Sequence, residues 1–489
     1  MLQGTGSDVG KSVLTAALCR IAKHRGLRVA PFKPQNMSNN AMACADGGEI
    51  GRAQALQARA SGLDPHTDMN PVLLKPQSDR SAQVVVHGSA ISAMDAADYM
   101  ATRDQLMGAV LESFERLVAA NDLVIVEGAG SPAEINLRAR DIANMGFARK
   151  AGVPVCLIGD IDKGGVIASL VGTQQVIFPA DAALIKGFLI NKFRGDPALF
   201  EEGIRAIEER TMWPCFGVVP WLKAPASLPA EDAVSMQGGM DAKPGALKIV
   251  APMLSRMANF DDADPLRMDP GIDFHWVPPG TAIPRDADLV ILFGTKSTIG
   301  DLAFLREQGW DHDIHAHVRA GGRVLGICGG YQMLGHMIND PDGYDGPPGL
   351  ATGLSLLDVN TVMTGAKRVL PVSANCAQSN LPLNGYEIHA GETTGPDTLR
   401  PFSIRRGIPE GATSSCGRVQ GTYLHGVFAM DEFRRSWLQA IGGEPAAQMA
   451  YEATVDAALN ELADEVSRAV DVDAIFKLAA QPELFLKDA

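Results

Sequence analysis

Two short stretches carry side chains that could do chemistry. Residues 4–12 read GTGSDVGKS and residues 325–335 read LGICGGYQMLG. In the first, Gly4, Gly6 and Gly10 let backbone N–H groups turn inward on phosphate. The helix that follows adds its positive end, and Lys11 reaches the outer phosphates. Ser12 is placed to ligate Mg2+. Gly4 and Gly10 stand one residue further apart than the strict GxxxxGK(S/T) loop allows, so the match is to a variant. The spacing Gly4-x-Gly6-x-x-x-Gly10 also suits a dinucleotide loop, but Lys11-Ser12 directly after the last glycine favours a nucleoside triphosphate. A Mg2+–nucleotide site needs carboxylates. Glu127, at the end of the apolar run LVIV, suits the metal. Asp141 in LRARDIANMG is a candidate for catalysis, and Glu49 in ADGGEIGRAQ a second candidate for the metal. Asp46, Asp160 and Asp162 are weaker candidates. Asn191 ends another apolar run, where a carboxamide could read adenine.

The second stretch reads as strand, tight turn, helix. Gly326-Ile327-Cys328-Gly329-Gly330 is a G-x-C-x-G analogue of the nucleophile elbow. A helix N-terminus favours the thiolate, and backbone N–H groups around Gly329 could hold an oxyanion. A cysteine nucleophile needs a base. His425, in GTYLHGVF, ends another apolar strand-like run; His389, in GYEIHAGE, is its rival. His312, His315 and His317 in DHDIHAHV have metal-like spacing but read as one exposed helix.

These residues need elements to position them. LRVAPFK (27–33), DLVIVEGAG (122–130), VPVCLIGDID (153–162) and ALIKGFLINKF (183–193) read as buried strands with helical patterns between them, the signature of a parallel sheet covered on both faces. In such sheets ligands bind at the carboxyl ends of the strands, where the motifs above fall. A second alternating series starts at LKIVAPML (247–254) and includes ADLVILFGT and GGRVLGICGG. The expected fold is α/β with two doubly wound domains, at 1–222 and 247–435. An Ala/Pro/Gly-rich linker at 223–246 joins them. A tail at 436–489 is expected to be helical, with Leu459, Leu462 and Val466 at helical spacing.

Composition excludes several classes. The net charge of −14 opposes bulk attraction to nucleic acid or an anionic membrane, and no apolar stretch approaches the length of a span. Charged Asp8 and Lys11 close to the start fit no secretory signal. The seven cysteines include no CxxC pair, which points to reduced thiols in a cytoplasmic protein.

As an ordered set, GTGSDVGKS, FKPQNMSNN, GEIGRAQALQA, VEGAGSPAEINL, DIANMG, GDIDKGGV and NKFRGD resemble a P-loop domain of the dethiobiotin-synthetase type. GTKST, GICGGYQMLG, GYEIHAGET and GTYLHGVF resemble a class I glutamine amidotransferase domain. Together they resemble the cobyric acid synthase family over nearly the whole chain. The resemblance implies a glutamine-hydrolysing amide synthetase. Adenosylcobyrinic a,c-diamide and L-glutamine would be its substrates and ATP with Mg2+ its cofactors, and there is room for a homo-oligomer. Cys328 would take the glutamine acyl group, His425 would be its base, and Gly294 (in GTKST) and Gly329 would serve the oxyanion and glutamine. Lys11, Ser12 and Glu127 would serve Mg-ATP. Two positions depart from pattern. Lys163 stands where the family usually has Arg. Val427 stands where triad amidotransferases place a Glu, which leaves the residue that orients His425 open. The alternatives are cobyrinic acid a,c-diamide synthase, with the same two domains, and a P-loop partitioning ATPase without amidase activity.

Overall fold

The computed structural model describes residues 1–77, 81–229 and 245–479. Most of the expected linker and the last ten residues of the expected tail lie outside the described residues. In the first half, strands Leu2–Gly4, Val155–Asp160, Ile185–Phe193 and Cys215–Pro220 form a parallel sheet. Strands Val29–Phe32 and Leu123–Val126 pair in parallel, and the Leu2–Glu127 bridge joins them to the edge of that sheet. Their apolar residues are buried almost throughout, as strands covered on both faces require. The phosphate loop and Glu127 both follow strands of this sheet and meet at its carboxyl edge.

A second, four-stranded sheet, Gln35–Met37, Val72–Pro76, Ser81–Val86 and Ser89–Asp95, was not anticipated from the sequence. It and the hairpin Ala41–Ala43/Glu49–Gly51 face the other half of the molecule. There, Ala41, Ala43, Leu73 and Val85 form a small apolar cluster with Tyr386 and Ile388.

The second half contains five parallel strands, in the order Ile272–Val277, Leu247–Pro252, Leu289–Leu292, Arg323–Ile327 and Val419–Thr422. Ala412–Thr413 is added antiparallel at the edge. Where strand–helix alternation was expected to continue, residues 360–394 instead form a long antiparallel hairpin, Asn360–Cys376 with Pro382–Thr394. This hairpin carries Tyr386, Ile388 and His389 to the thiol.

The tail is helical over Asp431–Ala440, Tyr451–Ala469 and Val472–Lys477. Its middle helix does not stay with the second half. Val455, Leu459, Leu462 and Val466 pack into the core of the first, with Leu14, Leu18 and Ile21 of helix Lys11–His24. Arg20 pairs with Asp456 at 2.9 Å beside this seam. Among the described residues no helix is long and apolar enough to cross a membrane.

Candidate active sites

Helix Lys11–His24 starts at Gly10, whose φ of 97° lies in the left-handed region that glycine adopts without strain. A side chain there would also overlap the amide of Asn191. Lys11 curls back over the loop, donating to Gly6 O at 2.8 Å and Gly130 O at 3.2 Å. These carbonyls hold its ammonium at the mouth of a cleft of about 630 Å3, which Ser12, Lys33 and Glu127 also line. Glu127 is fully buried and accepts from Ser12 Oγ (2.7 Å), Lys33 Nζ (2.8 Å) and Gln57 Nε2 (2.6 Å), with Gln54 Nε2 at 3.4 Å. Burial opposes its ionisation. Lys33, Gln57 and Ser12 overcome that, so its carboxyl titrates below the ordinary range.

Two expectations about this cleft, on Glu49 and Asn191, need correction. Glu49 is not among its carboxylates. It lies fully buried between Lys75 Nζ (2.6 Å) and Lys367 Nζ, where the two halves meet. The ammonium groups of Lys367 and Lys75 hold its carboxyl far below its ordinary range against burial. Asp141 lines the cleft, and its carboxylate accepts from three backbone donors: Ala143 N, Asn144 N and Gly146 N, at 2.8, 2.9 and 2.8 Å. Those bonds anchor the start of helix Met145–Lys150, a structural role that the sequence did not suggest. Asn191 points beneath the loop rather than at a base, and its amide donates to Val9 O at 2.8 Å. Lys33, by contrast, was not singled out from the sequence; the lysine that closes LRVAPFK was its only signal.

Cys328 stands between strand Arg323–Ile327 and helix Gly329–Leu334 with φ 54° and ψ −112°. This conformation is strained for a residue with a side chain, and it lifts the thiol out of the turn. Cys328 N–H is taken by Thr422 O at 2.8 Å, and Gly329 N–H is the next backbone donor in the turn. Gly294 lies against the pair: a Cβ there would stand 3.2 Å from His425 Cε1 and 3.6 Å from Cys328 Cβ. His425 is buried within hydrogen-bonding reach of the thiol, and its ring stacks on Tyr386 with centroids 5.2 Å apart. His389 also lines this cavity. Its Nδ1 is engaged with Gly391 O at 3.0 Å and its ring is stacked on Tyr423 at 3.8 Å. His317 is not exposed as its sequence context suggested; it is buried and bonds Arg323 O at 2.9 Å.

The orienter that the sequence left open is Asp262. Its Oδ2 accepts from His425 Nδ1 at 2.7 Å, and its Oδ1 accepts from Gly426 N at 2.5 Å. This places the Nδ1 proton and leaves Nε2 for the thiol. Burial disfavours the imidazolium, but Asp262 and the thiol outweigh it and raise His425 to about 10. At neutral pH a cationic imidazole therefore sits beside Cys328. Cys19 and Cys156 are buried without such a partner, and burial pushes both up to about 12. Asp262→Asn keeps a polar side chain of the same shape but removes the charge. Glutamine hydrolysis is expected to slow roughly 10^2-fold, at the low end for general acid–base groups. The alkaline limb of its pH profile should move down as His425 loses the charge that holds its proton. An unmoved limb would show that Asp262 does not set the imidazole.

The thiol cavity, of about 590 Å3, is bounded by both halves: Lys75 and Gln83 from the first, Lys296, Lys367, Cys328 and His425 from the second. Residues 1–235 match the CobQ/CobB/MinD/ParA nucleotide-binding domain family, and residues 248–433 the CobB/CobQ-like glutamine amidotransferase domain family. Over 482 residues the chain is 66% identical to cobyric acid synthase of Hyphomonas neptunium, covering 99% of this chain and 97% of that one. It is 61% identical over 479 residues to the cobyric acid synthases of Cereibacter sphaeroides and Paracoccus denitrificans, covering 98% of this chain and 99% of each relative.

Proposed function

The chain belongs to the cobyric acid synthase family, and from that premise we propose that it converts adenosylcobyrinic a,c-diamide to adenosylcobyric acid by amidating four side-chain carboxylates. It is a glutamine-dependent, amide-forming enzyme with a nucleotide-binding domain. In our reading the Cys328 thiolate attacks the carboxamide carbon of glutamine, while Gly329 N–H receives the developing oxyanion. His425 passes a proton to the departing nitrogen. Ammonia leaves, and water then cleaves the thioester to glutamate. In the other cleft the acceptor carboxylate takes the γ-phosphoryl group of ATP, giving an acyl phosphate and ADP. Ammonia displaces phosphate to form the amide.

Ser12 and Glu127 offer two hard oxygen donors 2.7 Å apart beside the phosphate loop, a set that suits Mg2+ bound mainly by phosphates and water. When bound, the ion would neutralise phosphate charge. Lys11 and Lys33 supply the protein's own positive charge there.

The observation that carries this reading is the shared boundary of the thiol cavity. Residues of the nucleotide-binding half wall the space in which ammonia is released. The test is to incubate the protein with adenosylcobyrinic a,c-diamide, glutamine and Mg-ATP and follow product mass. Four successive increments of one amidation each are expected. A diamide left untouched, with cobyrinic acid amidated at a and c instead, would assign the chain to the diamide-forming reaction.

A further inference from the structure

The carboxylate that turns His425 is one of an adjacent pair, Asp261 and Asp262, both buried in the segment Phe260–Ala263. Two neighbouring buried carboxylates repel, and each needs its own cation. Asp262 has His425. Asp261 has Arg52, which comes from the nucleotide-binding half: Arg52 Nε lies 2.9 Å from Asp261 Oδ2, with side-chain exposures of 17% and 4%. The other oxygen of Asp261 and Arg52 Nε are both buried with no hydrogen-bond partner among the described residues, so the two side chains are held together by charge, as an ion pair.

The same segment is fastened to the first half at a second point. Asn259, held at φ 55°, donates its backbone N–H to Asn40 Oδ1 at 2.7 Å. Its amide donates to Ala41 O at 2.7 Å and Tyr386 Oη at 2.8 Å, and Tyr386 is the ring stacked on His425. The backbone N–H of Arg52 is itself tied to Asn40 O at 3.0 Å.

Arg52 opens helix Arg52–Ser61, and Gln54 and Gln57 on that helix hold the carboxylate of Glu127. At 1.5 Å per residue, Arg52 and Gln57 are only about 7–8 Å apart along the axis. One short helix therefore braces the phosphate cleft with one turn and the base of the glutaminase with its first residue. Phosphates entering the cleft would compete with Glu127 for Lys33 and Ser12, changing what Gln54 and Gln57 grip.

We propose that Arg52 is a positioning residue for glutamine hydrolysis, contributed by the nucleotide-binding half, and that its helix ties the hydrolysis rate to nucleotide in the phosphate cleft. This rests on the assignment of Cys328 and His425 to glutamine hydrolysis. The experiment measures glutaminase kinetics of the full chain with and without Mg2+ and the non-hydrolysable analogue AMP-PNP.

In the native protein AMP-PNP should change kcat about fivefold or more, the usual scale of coupling between sites. Arg52→Met should lower kcat by roughly tenfold or more with little change in KM for glutamine, as expected when an interaction made in the transition state is lost. The variant should not respond to AMP-PNP, and its ammonia-dependent amidation should persist. The double variant Arg52→Met/Asp261→Asn restores charge balance in the buried site. It guards against misfolding and should remain slow with glutamine. The proposal falls if Arg52→Met hydrolyses glutamine like the native protein. It falls equally if AMP-PNP acts alike on both, if the native protein ignores AMP-PNP, or if the double variant regains full glutamine turnover. Glutamine hydrolysis that survives Cys328→Ser would overturn the underlying assignment instead.

Discussion

Cys328→Ser is expected to abolish amidation driven by glutamine and to leave amidation driven by ammonia. Serine's hydroxyl is ionised far less than a thiol, and the cationic His425 that favours a thiolate cannot serve as base for a neutral hydroxyl. A loss of roughly 10^4-fold or more is expected in the glutamine-supported rate, by analogy with removal of other covalent nucleophiles. The phosphate cleft, lined by Lys11, Lys33 and Glu127, lies in the other half of the molecule, and Cys328 lines a separate cavity. High concentrations of ammonium at alkaline pH should therefore restore product formation close to the native ammonia-dependent rate. Parallel assays with the two nitrogen sources decide the matter: equal loss with both, in a protein with native circular dichroism, would remove Cys328 from its assigned role.

Lys11→Ala is expected to act the other way, stopping amide formation with either nitrogen source. Lys11 is 7% exposed, and its ammonium is held over the loop by Gly6 O and Gly130 O. It is thus set to meet charge on the transferring phosphoryl group without further reorganisation. Losing one such pre-placed cation costs on the order of 10^3-fold in rate, about 4 kcal/mol of transition-state stabilisation. Glutamine hydrolysis without nucleotide should continue, since the triad of Cys328, His425 and Asp262 is intact. Ammonia-dependent amidation within about twofold of native, well short of the loss expected for a phosphoryl-transfer cation, would place the ATP site elsewhere.

What could be read from the sequence was local. Gly10-Lys11-Ser12 and Cys328-Gly329 each declare a turn and the chemistry on it within a few residues, because the backbone that presents the group is continuous with the group itself. Residues that act by meeting a partner from elsewhere were hidden. Asp262 lies 163 residues before His425, inside NFDDADP, which reads as a solvated acidic run. Glu49 follows two glycines in a plausible ligand loop; nothing near it announces Lys75 and Lys367, which claim its charge. Asp141 reaches the expected cleft, but the three backbone donors that it also holds could not be read from its neighbours in sequence. The long hairpin at 360–394 was missed for a related reason. Its register shifts between Met363 and Arg368, so the alternation that marks a strand is interrupted.

The return of helix Tyr451–Ala469 to the first helix also has a consequence for how the molecule is made. The seam that buries Leu14, Leu18 and Ile21 is closed by Val455, Leu459, Leu462 and Val466, so the nucleotide-binding half cannot complete its core from its own contiguous residues. Ribosomes add roughly 5–20 residues per second, so the nascent first half waits on the order of 10–50 s between leaving the ribosome and receiving its last helix. During that interval one face of helix Lys11–His24 stays open to water and to chaperones. Because the closing helix is translated after the glutaminase strands, the core behind helix Lys11–His24 is completed only on chains that already carry the thiol.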